Sequence, residues 1–167
     1  MIFIIGIRHT KQVGELKESS YISILKSCLL DLINKESIKT IAEEFSLQIQ
    51  NRDGQTPAQE IAIEKKLKYI FADPDAKERE ILGIKLRSDT AKNLGIDIND
   101  PSTTEEELNK VNLAHRSIDE LREKEWLRRI QDNAKTPLIF ICGINHAKTF
   151  SELLKQQGYE ACIFAEY

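Results

Sequence analysis

The chain has 167 residues, of which 31% are charged and 41% are hydrophobic, and its formal net charge is -3. This length can bury a sizeable core, and we predict a single α/β domain over residues 1–167. The balanced charge argues against a nucleic-acid partner and against binding to an anionic membrane.

The first predicted element is a buried strand, because the chain begins with the apolar run MIFIIGI and continues with Arg8 and His9. This run is too short to span a membrane and has no basic region before it, so it predicts neither a membrane span nor a signal peptide. The next element is a helix over residues 19–35, where apolar side chains recur with helical spacing.

Further short apolar runs alternate with segments of helical period along the rest of the chain, which predicts parallel strands connected by helices. A less periodic insert near 85–115 interrupts this order and is expected to be helical or irregular, either a lid or a surface for a partner. We therefore predict an α/β fold of about five mainly parallel strands flanked by helices. The later strands are predicted at 38–42, 68–72, 137–142 and 159–164, and the later helices from 56 to about 66, over 118–134 and from about 146 to 157.

The three cysteines are odd in number, widely separated and embedded in apolar stretches. This pattern predicts reduced core residues rather than disulfides, as expected of a cytoplasmic protein. The three are Cys28, Cys142 and Cys162.

Four of the predicted strands end in histidine or carboxylate residues, and ligands of parallel α/β sheets bind at the carboxyl ends of the strands. Each residue could instead cap the following helix. Of the consecutive Glu43 and Glu44, only one is expected to face the site, because strand side chains alternate between the two faces. We favour Glu43, since the apolar run suggests that the turn begins after Glu44. The strand-end candidates are Arg8 with His9, Glu43 with Glu44, Asp73 with Asp75, and Asn145 with His146.

The predicted helix over 118–134 carries Arg122 and Glu123 inside its apolar arc. A charged group in that position either extends past the core to solvent or is paired and held for a purpose, because unpaired burial costs several kcal/mol. Arg79 is a further candidate, since it follows the third strand and has no helix-capping role. His115 is expected to be a surface residue.

The four segments GIRH, AEE, Arg122-Glu123-x-x-Trp126 and GINH together resemble the TraB/TIKI/erythromycin-esterase-like superfamily. Its members carry a GxxH motif near each end of the domain, an acidic residue after an early strand and an arginine on a later helix. The resemblance implies a pocket built from both halves, and hydrolysis that is metal-dependent in TIKI-type proteins and metal-independent in erythromycin esterases. His9 and His146 match the paired histidines, Glu43 or Glu44 the acid, and Arg122 the arginine.

These residues predict a hydrolase that activates water with His9, Glu43 and His146 to cleave an ester or amide. The same three side chains could instead bind a divalent metal ion that lowers the pKa of its water. Arginines would bind an anionic group of a small-molecule or peptide substrate, with Asn145 orienting it. The alternatives are a non-catalytic module that binds an anionic small molecule, and a protein-interaction module that uses the insert. The expected arginines are Arg8, Arg79 and Arg122.

Overall fold

The structure, a computed structural model, describes residues 1–8 and 18–167. Within these residues the chain forms five strands and seven helices. The strands are β1 (Ile2–Ile7), β2 (Thr40–Glu43), β3 (Lys68–Phe71), β4 (Leu138–Gly143) and β5 (Ala161–Glu166). The helices are α1 (Ser19–Glu36), α2 (Leu47–Asp53), α3 (Pro57–Glu64), α4 (Ala76–Leu82), α5 (Arg87–Asn93), α6 (Glu105–Asn133) and α7 (Ile144–Gln156).

All five strands belong to one parallel sheet with the order β3-β2-β4-β1-β5. The prediction of an α/β fold with parallel strands is therefore confirmed. Every residue of β1 and β2 is buried, as is nearly all of β4, because helices cover both faces of these central strands. This double burial explains why their sequences are continuous apolar runs without polar alternation.

The sheet separates two hydrophobic cores, which we name the α6 side and the α1 side after the helices that cover them. On the α6 side, the aromatic rings of Trp126, Phe140 and Phe150 pack together with centroid distances of 4.3 to 5.6 Å. On the α1 side, β1 and β4 pack against the buried leucines of α1 and against α3. Consecutive strand residues alternate between the two cores: Ile4 faces the α6 side and Ile5 the α1 side.

The two glycine turns of the sequence lie on neighbouring strands, because β1 pairs with β4 and Ile7 lies opposite Gly143. Gly6 of the first turn also permits close packing of α7. A Cβ atom on Gly6 would lie 3.2 Å from Cα of Ile144 and 3.3 Å from Cβ of Ala147. This glycine is therefore explained by helix packing.

The predicted insert consists of α5, a connecting turn and the first part of α6. Helix α6 has 29 residues and begins well before the predicted position 118. Thr104 and Glu107 form a reciprocal capping box, and three glutamates occupy the first turn, where the helix dipole favours negative charge. The acidic run that obscured the apolar period is thus itself the start of the helix.

In the described part of the chain, every helix is either too short or too polar to cross a bilayer.

Candidate functional site

A cleft of about 1040 Å³ opens beside the carboxyl ends of β2, β3 and β4. Its walls come from the connection between α4 and α5, from α6 and from α7. Four of the site residues predicted from the sequence line it, namely Arg79, Arg122, Asn145 and His146. The cleft is therefore on the α6 side of the sheet, where the chain passes from β4 into α7.

Arg122 lies at the inner wall of this cleft, between two carboxylates. One Nη atom is 2.7 Å from Oε1 of Glu44, and its Nε donates to Oδ1 of Asp73 at 2.7 Å. The guanidinium carbon lies 5.1 Å from the ring centroid of Trp126, one helical turn along α6. Burial alone would lower the pKa of Arg122, but Glu44 and Asp73 outweigh it and raise the pKa above its usual value. Arg122 is thus paired and held, which is one of the two alternatives that its helix position left open.

Asp73 joins three elements through its buried carboxylate, which is 1% exposed. Its oxygens accept hydrogen bonds from Arg122, from Nε1 of Trp126 at 3.1 Å and from Arg79. Asp75 instead caps α4 in a capping box with Glu78. Of the two aspartates after β3, only Asp75 is a helix stabiliser, whereas Asp73 anchors the arginines of the cleft.

His146 is held by a carboxylate from the facing helix. Its Nδ1 lies 2.9 Å from Oε1 of Glu123, which also accepts a hydrogen bond from the Thr149 hydroxyl at 2.6 Å. The imidazole packs edge-on against Trp126, with a centroid distance of 5.1 Å. Burial alone would lower the pKa of His146, but the hydrogen bond to Glu123 and the charge of Glu44 outweigh it and raise the pKa. Because Nδ1 is bonded to a carboxylate, Nε2 is the nitrogen left for chemistry in the cleft.

A second histidine, His115, lines the same cleft and lies about two helical turns before Arg122 on α6. Its Nε2 lies 3.5 Å from Oδ1 of Asp119, and the same oxygen is 3.9 Å from Nε2 of His146. Its Nδ1 lies 2.8 Å from the hydroxyl oxygen of Thr90 on α5. His115 is only 6% exposed, so the prediction of a surface residue is wrong. The reason is that α5 packs over it, and the sequence did not reveal α5 as a covering element.

The sequence prediction favoured Glu43 for this site, but the structure brings Glu44 there instead. Strand alternation directs Glu43 to the α1 side, where it is fully buried and accepts hydrogen bonds from Thr56 and Tyr69 at 2.6 Å each. Glu44 faces the α6 side and also accepts a hydrogen bond from the backbone N–H of Gly143 at 2.6 Å. Of the two, only Glu44 lies on the cleft side of the sheet, where it contacts Arg122 of the cleft wall; one of the pair was expected on this side, but it is the second.

His9 lies outside the described residues. Arg8 is exposed, and its backbone N–H donates to the hydroxyl of Tyr21 at 2.8 Å, on the α1 side. The structure therefore brings together Arg79, Arg122, Asn145 and His146, but it does not place Glu43 with them.

The metal hypothesis requires His9, Glu43 and His146 to converge. Glu43 and His146 lie on opposite sides of the sheet, so these three residues do not fit one metal ion. Over residues 1–8 and 18–167, there is also no other group of three or more histidine, cysteine or acidic side chains that could hold a metal ion.

Three acidic residues of the site have no role in the catalytic and binding set that was predicted from the sequence: Asp73, Asp119 and Glu123. The sequence marked Asp73 as a candidate because it follows a predicted strand. It marked Glu123 because a charged residue lies there in the apolar arc of its helix. Asp119 was not singled out in the sequence; its partners are His115, one turn before it on α6, and His146 of α7.

Comparison with known proteins found no matching family model, no matching curated protein and no matching solved structure.

Proposed function

We propose that the protein is a hydrolase in which His146 acts as the general base on a water molecule in the cleft. The observation that carries the proposal is the contact of His146 with Glu123, in the wall of a cleft large enough for a small molecule. A carboxylate on Nδ1 fixes the tautomer of the ring and stabilises the imidazolium that forms when Nε2 takes a proton.

In the proposed reaction, neutral His146 accepts a proton at Nε2 from a water molecule that attacks the carbonyl carbon of an ester or amide. The imidazolium then donates this proton to the leaving group, so that the base is restored. Glu123 holds the ring throughout by accepting a hydrogen bond from Nδ1–H. Such acid–base catalysis typically contributes about 10²–10⁴ to the rate.

The substrate is proposed to carry an anionic group. Among the described residues that line the cleft, six are lysine or arginine and four are acidic, although the whole chain has a net charge of -3. Arg79 and Arg122 are already bonded to carboxylates, which makes the exposed Lys85, Arg87 and Lys124 the more accessible cations for an incoming anion. This charge distribution supports an anionic ester or amide over a neutral one.

The test is a panel of esters, amides and phosphoesters, each with and without a carboxylate near the cleaved bond. We expect turnover of an anionic ester or amide by the wild type and a loss of about 10²–10⁴ in His146→Gln. Glu123→Gln should reduce turnover less and should move the acidic limb of the pH profile to lower pH, because Glu123 raises the pKa of His146.

Asp132→Asn provides the matched control, since Asp132 lies on the same helix, is exposed and pairs only with Arg128 among the described residues. It should behave as the wild type. Equal turnover by the wild type and His146→Gln would refute the proposal.

A second candidate function is binding of an anionic small molecule without catalysis, and the surplus of cations in the cleft favours it. Here the wild type would turn over no substrate but would bind an anion with a saturable isotherm. His146→Gln would leave that binding unchanged, and Arg87→Gln together with Lys85→Gln would weaken it. Calorimetry with citrate and with inorganic phosphate measures both effects.

The assignment to the TraB/TIKI/erythromycin-esterase-like superfamily is likewise a proposal. It is supported by the adjacent positions of Gly6 and Gly143 on paired strands, by the presence of Arg122 and His146 in the wall of one cleft, and by the ion pair of Arg122 with Glu44. The third proposed alternative, a protein-interaction module, would use the exposed surface of α5 and the start of α6.

A further inference from the structure

Two histidines of the cleft lie on either side of one carboxylate. Oδ1 of Asp119 is 3.5 Å from Nε2 of His115 and 3.9 Å from Nε2 of His146. The first separation is at the limit of a hydrogen bond, and the second is an ion-pair contact. Asp119 is about one-third exposed, so its carboxylate can move towards either ring.

The tautomer of His115 follows from its two neighbours. Because a carboxylate only accepts hydrogen bonds, the position of Asp119 favours the tautomer in which Nε2 of the neutral ring carries the proton. Nδ1 then accepts a hydrogen bond from the hydroxyl of Thr90, at 2.8 Å. Burial lowers the pKa of His115, which keeps the ring neutral and maintains this direction of hydrogen bonding.

Thr90 lies on α5, the short helix of the insert, which packs against α6; Ala91 of α5 and Val111 of α6 are both buried. Thr90, His115 and Asp119 therefore form a chain of contacts that runs from the insert to the Nε2 edge of His146. The opposite edge of His146 is held by Glu123. The imidazole thus has one carboxylate at each nitrogen.

We propose that Thr90, His115 and Asp119 are positioning residues for His146: they hold the carboxylate of Asp119 beside the nitrogen that accepts the proton. This inference rests on the proposed function, since it assigns a role to these residues in the same acid–base step. It also assigns a role to the insert, because without α5 the ring of His115 would lose its partner at Nδ1. Asp119 then stabilises the imidazolium from the cleft side.

The experiment is an NMR titration of the His146 imidazole in the full-length, ligand-free protein, with the signal assigned by its loss in His146→Gln. The other charged groups that act on the two rings are Glu44, Arg122, Glu123 and Arg87. These remain in every variant. Asp119→Asn should lower the pKa of His146, because the charge of Asp119 raises it.

Thr90→Val should lower this pKa in the same direction but by less, and Thr90→Ser should restore it, because serine retains the hydroxyl. His115→Ala should resemble Thr90→Val, whereas His115→Gln retains a donor near the position of Nε2 and should recover part of the effect. Glu120→Gln is the matched control, since it removes a charge at the next residue of α6, where Glu120 faces Arg116 at 3.6 Å. Circular dichroism would show that each variant is folded.

The proposal is overturned if Asp119→Asn shifts the pKa of His146 no more than Glu120→Gln does, or if Thr90→Val leaves it at the wild-type value. The titration needs no turnover. An absence of hydrolysis would therefore defeat the proposed function and leave this measurement intact, whereas equal shifts in the two acidic variants would overturn the positioning role even in an active hydrolase.

Discussion

Glu43 and Glu44 are consecutive residues of the same type, yet they occupy two different environments. Glu43 faces the α1 side, where its carboxylate accepts hydrogen bonds from two hydroxyl groups, those of Thr56 and Tyr69. Glu44 faces the α6 side, where it contacts the guanidinium of Arg122 and the backbone N–H of Gly143. The sheet lies between them.

Because of this difference, Glu43 has a structural role, whereas Glu44 belongs to the candidate site. Thr56 caps α3 by accepting a hydrogen bond from the N–H of Gln59 and donates its own proton to Glu43, so Glu43 ties α3 to β2 and, through Tyr69, to β3. Burial raises the pKa of Tyr69, and the adjacent charge of Glu43 raises it further, so this tyrosine remains a donor. Glu44 instead belongs to an ionic network that borders the cleft.

The largest effect is expected where the network on the α6 side loses its central carboxylate. Asp73→Ala removes the buried carboxylate that pairs with Arg79, leaves Arg122 with Glu44 as its remaining carboxylate partner, and leaves Trp126 without an acceptor. Removing one partner of a buried ion pair costs about 3–5 kcal/mol, so the free energy of unfolding should fall by roughly that amount. Urea denaturation followed by tryptophan fluorescence measures the change.

The control is Asp132→Ala, which removes an exposed aspartate from the end of α6. Its ion pair with Arg128 is at the surface, and such pairs contribute about 0–1 kcal/mol. A loss of similar size in both variants would mean that the buried network is no more important than a surface pair.

A smaller but sharper effect should distinguish the two glutamates directly. Glu43→Gln and Glu44→Gln should both destabilise the protein by about 1–3 kcal/mol, because each disturbs hydrogen bonds to a buried carboxylate. Only Glu44→Gln should lower the pKa of His146, because the charge of Glu44 raises that pKa from the same side of the sheet. An NMR titration of His146 in both variants tests this, and equal shifts would contradict the separation of the two sides.

The sequence predicted the parallel sheet because its central strands are buried on both faces. Burial on both faces produces a continuous apolar run, which is recognisable in the sequence. Helix phase singled out Arg122 because it placed a charge within an apolar arc, but it left open whether the side chain extends to solvent or is paired. The sequence did not determine which of Glu43 and Glu44 lies on the cleft side of the sheet. Alternation fixes only that they differ. The choice depends on which core each face of β2 packs against, and because both faces are buried, the apolar run does not distinguish them: Ile41 faces the α1 side and Ala42 the α6 side.

The role of His115 could not be predicted for a different reason. Its burial and its bond to Thr90 depend on α5 packing against α6, and the seven residues of α5 carry a single buried alanine. So short an apolar signal does not reveal a packed helix. His115 was missed because its partner Thr90 comes from a different, weakly patterned element.

The smallest predicted effect concerns how stability depends on pH within the cleft. The pKa of His146 is raised in the folded protein above its ordinary value of 6.5, so protonation of this residue stabilises the fold. That contribution is fully present below pH 6.5 and is lost as the pH rises through the folded pKa. The stability difference between the wild type and His146→Gln should therefore decrease with pH in the window above 6.5.

His115 should show the opposite dependence, because its pKa is lowered from 6.5 by burial. Its contribution is present above 6.5 and is lost as the pH falls through the folded pKa, so the difference between the wild type and His115→Gln should decrease on acidification. Urea denaturation of the three proteins at a series of pH values measures both differences. The two histidines that share Asp119 would then have opposite effects on how stability changes with pH. This result is expected because Glu44 and Glu123 lie near His146, whereas α5 covers His115. A difference for His146→Gln that stays constant or increases above pH 6.5 would show that these carboxylates do not act on its ring.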